Sequence, residues 1–184
     1  SLIMRWCFLA CLAAIGCPSL ILFGQDSLHT VDDRRPVWEA YRQAAVHQGD
    51  TVFMNRFERS TEVYDVEHPN RAYARGFYAA AQLMKVEGIT NILSKLESFL
   101  KWKAELESSI TLNSDDPDLR LFRLSVQLNA PSLLNYFSDI DDDSELIFRA
   151  LNENFWTSDP EHEVFVRQIF TEFKLVQSEP KDEQ

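Results

Sequence analysis

Glycine is scarce in this chain, at 5 of 184 residues, and cysteine is absent beyond position 17, with Cys7, Cys11 and Cys17 the only three. So few glycines leave little room for the tight hairpins of sheet proteins, and the balance moves toward helices. The glycines at 16, 24, 49, 76 and 88 are isolated, so no Gly-rich phosphate loop exists. Past Cys17 there is no thiol for a disulfide framework, a cysteine–metal site or a cysteine nucleophile. Basic residues are also in short supply, 18 Lys and Arg against 29 Asp and Glu, for a formal charge of -11. Duplexes are gripped mainly by Lys and Arg that neutralise phosphates, so no nucleic-acid partner is expected.

What is present is ordinary globular material, 45% hydrophobic and 26% charged, in a length that suits one domain. From Met4 the chain shows Arg5, an unbroken apolar run Trp6–Phe23, then Gly24 before Gln25. That is the layout of a secretory signal peptide over residues 1–24, cleaved after Gly24, and it predicts a secreted or periplasmic product. Two rivals stay open. Eighteen apolar residues reach the lower limit for a retained membrane anchor, and Ala14-Ile15-Gly16-Cys17 loosely resembles a lipobox that would put a lipid on Cys17. Membrane association is expected only through such an uncleaved or lipidated N-terminus.

Residues 25–176 read as one helical domain. Asp32 and Asp33 offer caps for a first helix near Arg34–Gln48, with Val37, Tyr41, Ala44 and Ala45 on one face. Gly49-Asp50 closes it and caps a second, near Thr51–Tyr64, carrying Val52, Phe53, Phe57 and Val63. A third, near Asn70–Glu87, is dense in small residues (Ala72, Ala74, Gly76, Ala79, Ala80, Ala81), which predicts close helix packing. The fourth, near Thr90–Leu112, spaces Ile89, Ile92, Leu96, Phe99, Leu106 and Ile110 by threes and fours, broken only at Lys103, with Leu93 and Leu100 widening the stripe. Asn113–Pro117 is a turn and cap for a fifth, Pro117–Asn129. A further turn is expected over 132–137, a sixth helix near Asp142–Phe155, and a seventh opened by Asp159-Pro160. The tail 177–184 is polar and should be disordered.

Candidate chemistry is thin. His29, His47, His68 and His162 form no HExxH motif and share no helix face at ligand spacing, so no metal and no cofactor is expected. Glu161-His162-Glu163 reads as a solvated first turn. Asp139, Asp141 and Asp143 match the start of a calcium loop, but Ser144 and Ala150 stand where Gly and the bidentate Glu belong, which favours an acidic helix cap. No Gly-x-Ser-x-Gly elbow or Ser/His pairing supports catalysis. The arrangement that stands out is on the fifth helix. Leu119, Phe122 and Val126 make one apolar stripe and Leu121, Leu124 and Leu128 another, with Arg120, Arg123 and Gln127 as a polar seam between them. Those guanidiniums either pair with acids to hold neighbouring helices in register, or bind an anionic ligand in a groove.

The alternation of helix pairs with an acidic Asp-Pro turn is similar to tetratricopeptide (TPR) arrays. The strict signature is absent, since Trp102, Leu106 and Ser109 fall where its small-large-small residues belong, so the likeness is to TPR-like hairpins. The segment Asn91–Ile147, and within it Asp118–Pro131 (DLRLFRLSVQLNAP), resembles an uncharacterised family of small exported bacterial helical proteins. That resemblance implies export and an all-α fold, and carries no activity or catalytic residues. The expectation is therefore an all-α protein of about seven helices in stacked antiparallel hairpins. It would be a non-enzymatic interaction or scaffold protein of the cell envelope with a protein or peptide partner. The alternative is a small anionic-ligand-binding protein or cryptic hydrolase using Arg120 and Arg123.

Overall fold

A computed structural model describes residues 32–175; the signal-peptide reading of residues 1–24 and the disordered-tail reading of 177–184 lie outside the described residues. Among these residues there are seven α-helices and no strand. They are α1 (Arg35–Val46), α2 (Thr51–Glu67), α3 (Ala72–Lys85), α4 (Ile92–Leu112), α5 (Pro117–Asn129), α6 (Ile140–Asn152) and α7 (Pro160–Glu172). The expected turn after α5 is a short 3-10 segment, Ser132–Leu134. Asp50 and Asp116 cap α2 and α5, accepting hydrogen bonds from the amides of Val52 and of Asp118 and Leu119 respectively. Gly49, at φ +77°, makes the left-handed step between α1 and α2 that a side chain would resist.

The start of α1 differs from expectation. Asp32–Arg34 forms a 3-10 turn and no side chain caps α1. Asp33 is drawn sideways instead, accepting from the Tyr64 hydroxyl at 3.1 Å and from Arg71 at 3.3 Å. Charge partners on α2 and the α2–α3 connection outcompete the local amides.

From α1 to α4 consecutive helices run antiparallel: α1 opposes α2, with Asp33 at Tyr64 and Glu39 at Arg56. Tyr64 stacks on Phe77 while Gln82 donates to Glu58, so α2 and α3 oppose. Arg75 meets Glu105 and Tyr78 meets Trp102, so α3 and α4 oppose as well. The small residues of α3 do what the sequence predicted: Ala74, Gly76, Ala79, Ala80 and Ala81 are all buried. A Cβ on Gly76 would lie 2.5 Å from Leu119 Cδ2 and 2.7 Å from Ser109 Cβ, so α4 and α5 both close on this glycine. α5 is the hub: Phe122 makes edge contacts with Tyr41 of α1, Phe57 of α2 and Phe77 of α3. α7 returns to α1, where His162 stacks on Trp38 and Phe165 meets Tyr41 edge-on. In a purely nearest-neighbour array, first and last helices would not touch.

Two apolar stripes are only partly covered. On α2, Phe57 is buried but Val52 and Val63 are exposed. On α4, Phe99, Leu106 and Ile110 are buried, whereas Ile92, Leu93, Leu96 and Leu100 are exposed. The reason is length. α4 has 21 residues against 13 in α5, and on that side its cover begins only where Tyr136 packs on Phe99.

Candidate functional site

Two ionic clusters are built on α5, one at its N-terminus and one along the strip from Arg120 to Gln127. At its N-terminus Asp118 is fully buried, with Oδ2 accepting from Arg34 at 2.7 Å and Oδ1 from two indoles, Trp38 at 3.0 Å and Trp156 at 2.8 Å. Arg34 also pairs with Asp116 at 2.9 Å and lies over the rings of Tyr73 (4.3 Å) and Phe77 (5.2 Å). Burial works against its charge, yet Asp118 and Asp116 together push the guanidinium further up. One carboxylate thereby ties α1, α5 and the α6–α7 connection.

The second cluster holds the arginines singled out from sequence. Arg123, nearly buried, grips Asp143 of α6 through Nε (2.7 Å) and Nη2 (2.6 Å), and reaches Glu107 of α4 at 2.8 Å. Arg120 donates to the same Asp143 at 2.8 Å and to the Ser114 carbonyl at 2.8 Å. Gln127 donates to Asp139 at 3.0 Å, and Tyr136 donates to Glu107 at 2.5 Å. Burial opposes the Arg123 charge, and Asp143, Glu107 and Asp139 more than offset it. The seam of Arg120, Arg123 and Gln127 is thus brought together as the spacing foretold, and its cations face carboxylates of α4 and α6. The would-be calcium loop is split by the same pairing, because Asp143 turns inward to the arginines; no group of three or more potential metal ligands exists among the described residues.

His162 departs from its sequence reading. It is fully buried, not solvated. Asp159 caps α7 by accepting from the His162 amide at 3.1 Å, and this placement aims the imidazole at Trp38, 5.1 Å away and within 6° of parallel. Trp156 and Tyr41 meet it edge-on, and neither ring nitrogen has a hydrogen-bond partner. Burial first, and the nearby Arg42 charge second, lower its pKa to about 3. Burial works against the Asp159 charge, but Arg42, 2.7 Å away, helps hold its carboxyl below the usual range. Acids on either side of a histidine suggested solvent; only the docking of α7 on α1 reveals which way the middle residue faces. Asp118 and its two indoles were missed for a similar reason, since tryptophans at 38 and 156 carry no sequence mark of a shared partner.

Two open clefts flank this framework. One, of about 450 Å³, lies at the α4–α5 turn and is lined by Tyr73, Leu112, Asn113–Pro117 and Phe155. The other, of about 490 Å³, lies between α1 and the start of α7, with Arg42, Glu39 and Asp159 among its walls. The first has mixed apolar and polar walls, with Tyr73, Leu112 and Phe155 beside the polar turn Asn113–Asp116. The second is mainly charged, and its Arg42 is already paired with Asp159 and Glu161. Comparison with protein-family models, with curated proteins and with solved structures finds no match to this chain.

Proposed function

We propose that the chain is an exported, non-enzymatic interaction or scaffold protein of the bacterial cell envelope that seats a protein or peptide partner. The observation that carries this reading is where the charged groups go. Arg34, Asp118, Arg120, Arg123 and Asp143 are committed to helix–helix pairing, while the cleft beside them offers Tyr73, Leu112 and Phe155 to a chain segment. Export rests on the layout of residues 4–24 and on the resemblance of Asn91–Ile147. The antiparallel succession α1 to α4 is consistent with TPR-like stacking, the finer description that belongs to this proposal. The anionic-ligand or hydrolase reading draws no support from Arg120 and Arg123, whose charges already face Asp143 and Glu107.

The test is retention of partners from an envelope extract on the immobilised protein. A reproducible partner should be recovered, and Leu112→Asp, a change at an exposed position lining the cleft, should lower recovery at least tenfold with the fold intact. Loss with Arg120→Ala in a folded protein, and not with Leu112→Asp, would move the site to the arginine seam. Turnover of a screened substrate with no recoverable partner would overturn the scaffold reading.

A further inference from the structure

We propose that the N-terminal half of α4 is a docking surface for an anionic lipid bilayer. Ile92 (81% exposed), Leu93 (70%), Leu96 (42%) and Leu100 (55%) all stand in solvent. At about 100° per residue they fall within one arc of roughly 100° on the helix. Exposures this high describe a ridge, because the walls of a groove would shade one another. Neither cleft described above is lined by any of these four residues.

Charge selects the occupant. Within the acidic chain, residues 92–104 carry Lys95, Lys101 and Lys103 against the single acid Glu97. None of the three lysines makes an ion pair among the described residues. Lys95 donates to the Glu87 carbonyl at 3.0 Å, Lys101 lies over Trp102 and Lys103 over Tyr136, each 4.3 Å from the ring centre. Lys95 and Lys101 flank the apolar arc on opposite sides and Lys103 follows it one turn on. Arginines elsewhere meet carboxylates: Arg71 meets Asp33, and Arg75 meets Asp65 and Glu105. An apolar helix edge rimmed by lysines is the pattern of a helix that lies in a membrane interface, its side chains among the acyl chains and its cations at the headgroups. No helix among the described residues is long and apolar enough to cross a membrane, so this is a surface contact.

A second copy fits less well. The four side chains offer roughly 500 Å², short of the ~800 Å² per partner of a typical stable interface, and self-pairing would bring like-charged lysines together. The lipid contact is separate from the cleft at the α4–α5 turn and does not depend on it.

The experiment is flotation of the full chain with vesicles of phosphatidylcholine alone or with about a third phosphatidylglycerol. The uncharged part of any contribution from the apolar stretch Trp6–Phe23 is common to both, so the increment caused by anionic lipid reads the lysine-rimmed face. That increment should be at least tenfold at low salt and shrink as salt rises. It should fall roughly thirtyfold in K95Q/K101Q, given about fivefold per lysine at an anionic surface, and comparably in L93E/L96E. Both variants should keep wild-type helicity and melting temperature, since the changed side chains lie outside the core. Leu112→Asp should float like wild type, which keeps a failure of the peptide cleft distinct from a failure here. Three results would overturn the proposal: no anionic increment in wild type, an increment unchanged in both variants, or retention of an acidic protein through this face with no vesicle binding.

Discussion

Asp118→Asn is the sharpest probe of how this fold is held. The substitution preserves volume and keeps one carbonyl oxygen, so a purely steric view predicts little change. The geometry predicts otherwise. Oδ1 serves two indole donors, from Trp38 and Trp156, and Oδ2 serves Arg34, so every hydrogen bond the carboxylate makes is an acceptance. An asparagine must turn its NH2 group toward either the guanidinium or both indoles, placing donor against donor in a fully buried site. Breaking a buried charge pair by removing one partner costs about 3–5 kcal/mol. Arg34 keeps Asp116, so the expectation is the lower end, about 3 kcal/mol. At ~2–4 °C per kcal/mol for a chain of this size, the melting temperature should fall by roughly 6–12 °C. Urea unfolding followed by tryptophan fluorescence and by circular dichroism measures it. A loss below about 1 kcal/mol for Asp118→Asn, with both probes coincident, would refute the reasoning.

Three further outcomes are expected. Gly76→Ala gains up to about 1 kcal/mol in helix propensity, yet its Cβ would collide with Ser109 Cβ, close to the α4 backbone, so urea titration should show a net loss of about 1–2 kcal/mol. Asp143→Ala should cost about 3–5 kcal/mol by the same titration, because two guanidiniums lose their shared carboxylate, while Arg123→Met/Asp143→Leu should recover much of that loss. His162 has its folded pKa lowered to about 3 from the ordinary 6.5, so the unfolded chain takes up the proton first. The stability tied to its neutral form is therefore present above pH 6.5 and lost progressively as pH falls toward 3. His162→Phe should flatten this acid limb and leave the protein at least as stable at pH 7, since two unpartnered ring nitrogens leave the core; an unchanged slope between pH 6.5 and 3 counts against it.

The polar seam on α5 was legible because 100° periodicity and two flanking apolar stripes leave a guanidinium no course but burial. Its partners were not, because Asp143 and Glu107 stand 20 and 16 residues from Arg123 and are indistinguishable in sequence from the many solvated acids around them. The caps at Asp50 and Asp116 follow from local chemistry and were found where expected. The missing cap at α1 was not foreseeable, since Asp33 answers to Tyr64 of α2 and Arg71 of the α2–α3 connection, which fold against it.

The sequence by itself determined the seven helices, the crowding around the small residues of α3, and the two-faced character of α5. These rest on spacing, capping and side-chain size, all properties of neighbours in the chain. Only the tertiary structure decided that Asp118 and His162 are core residues, that α7 closes on α1, and that half of the α4 stripe has no cover. Those outcomes depend on which helix arrives opposite a given face and how far it extends, and periodicity along a single helix carries no record of its partner's length.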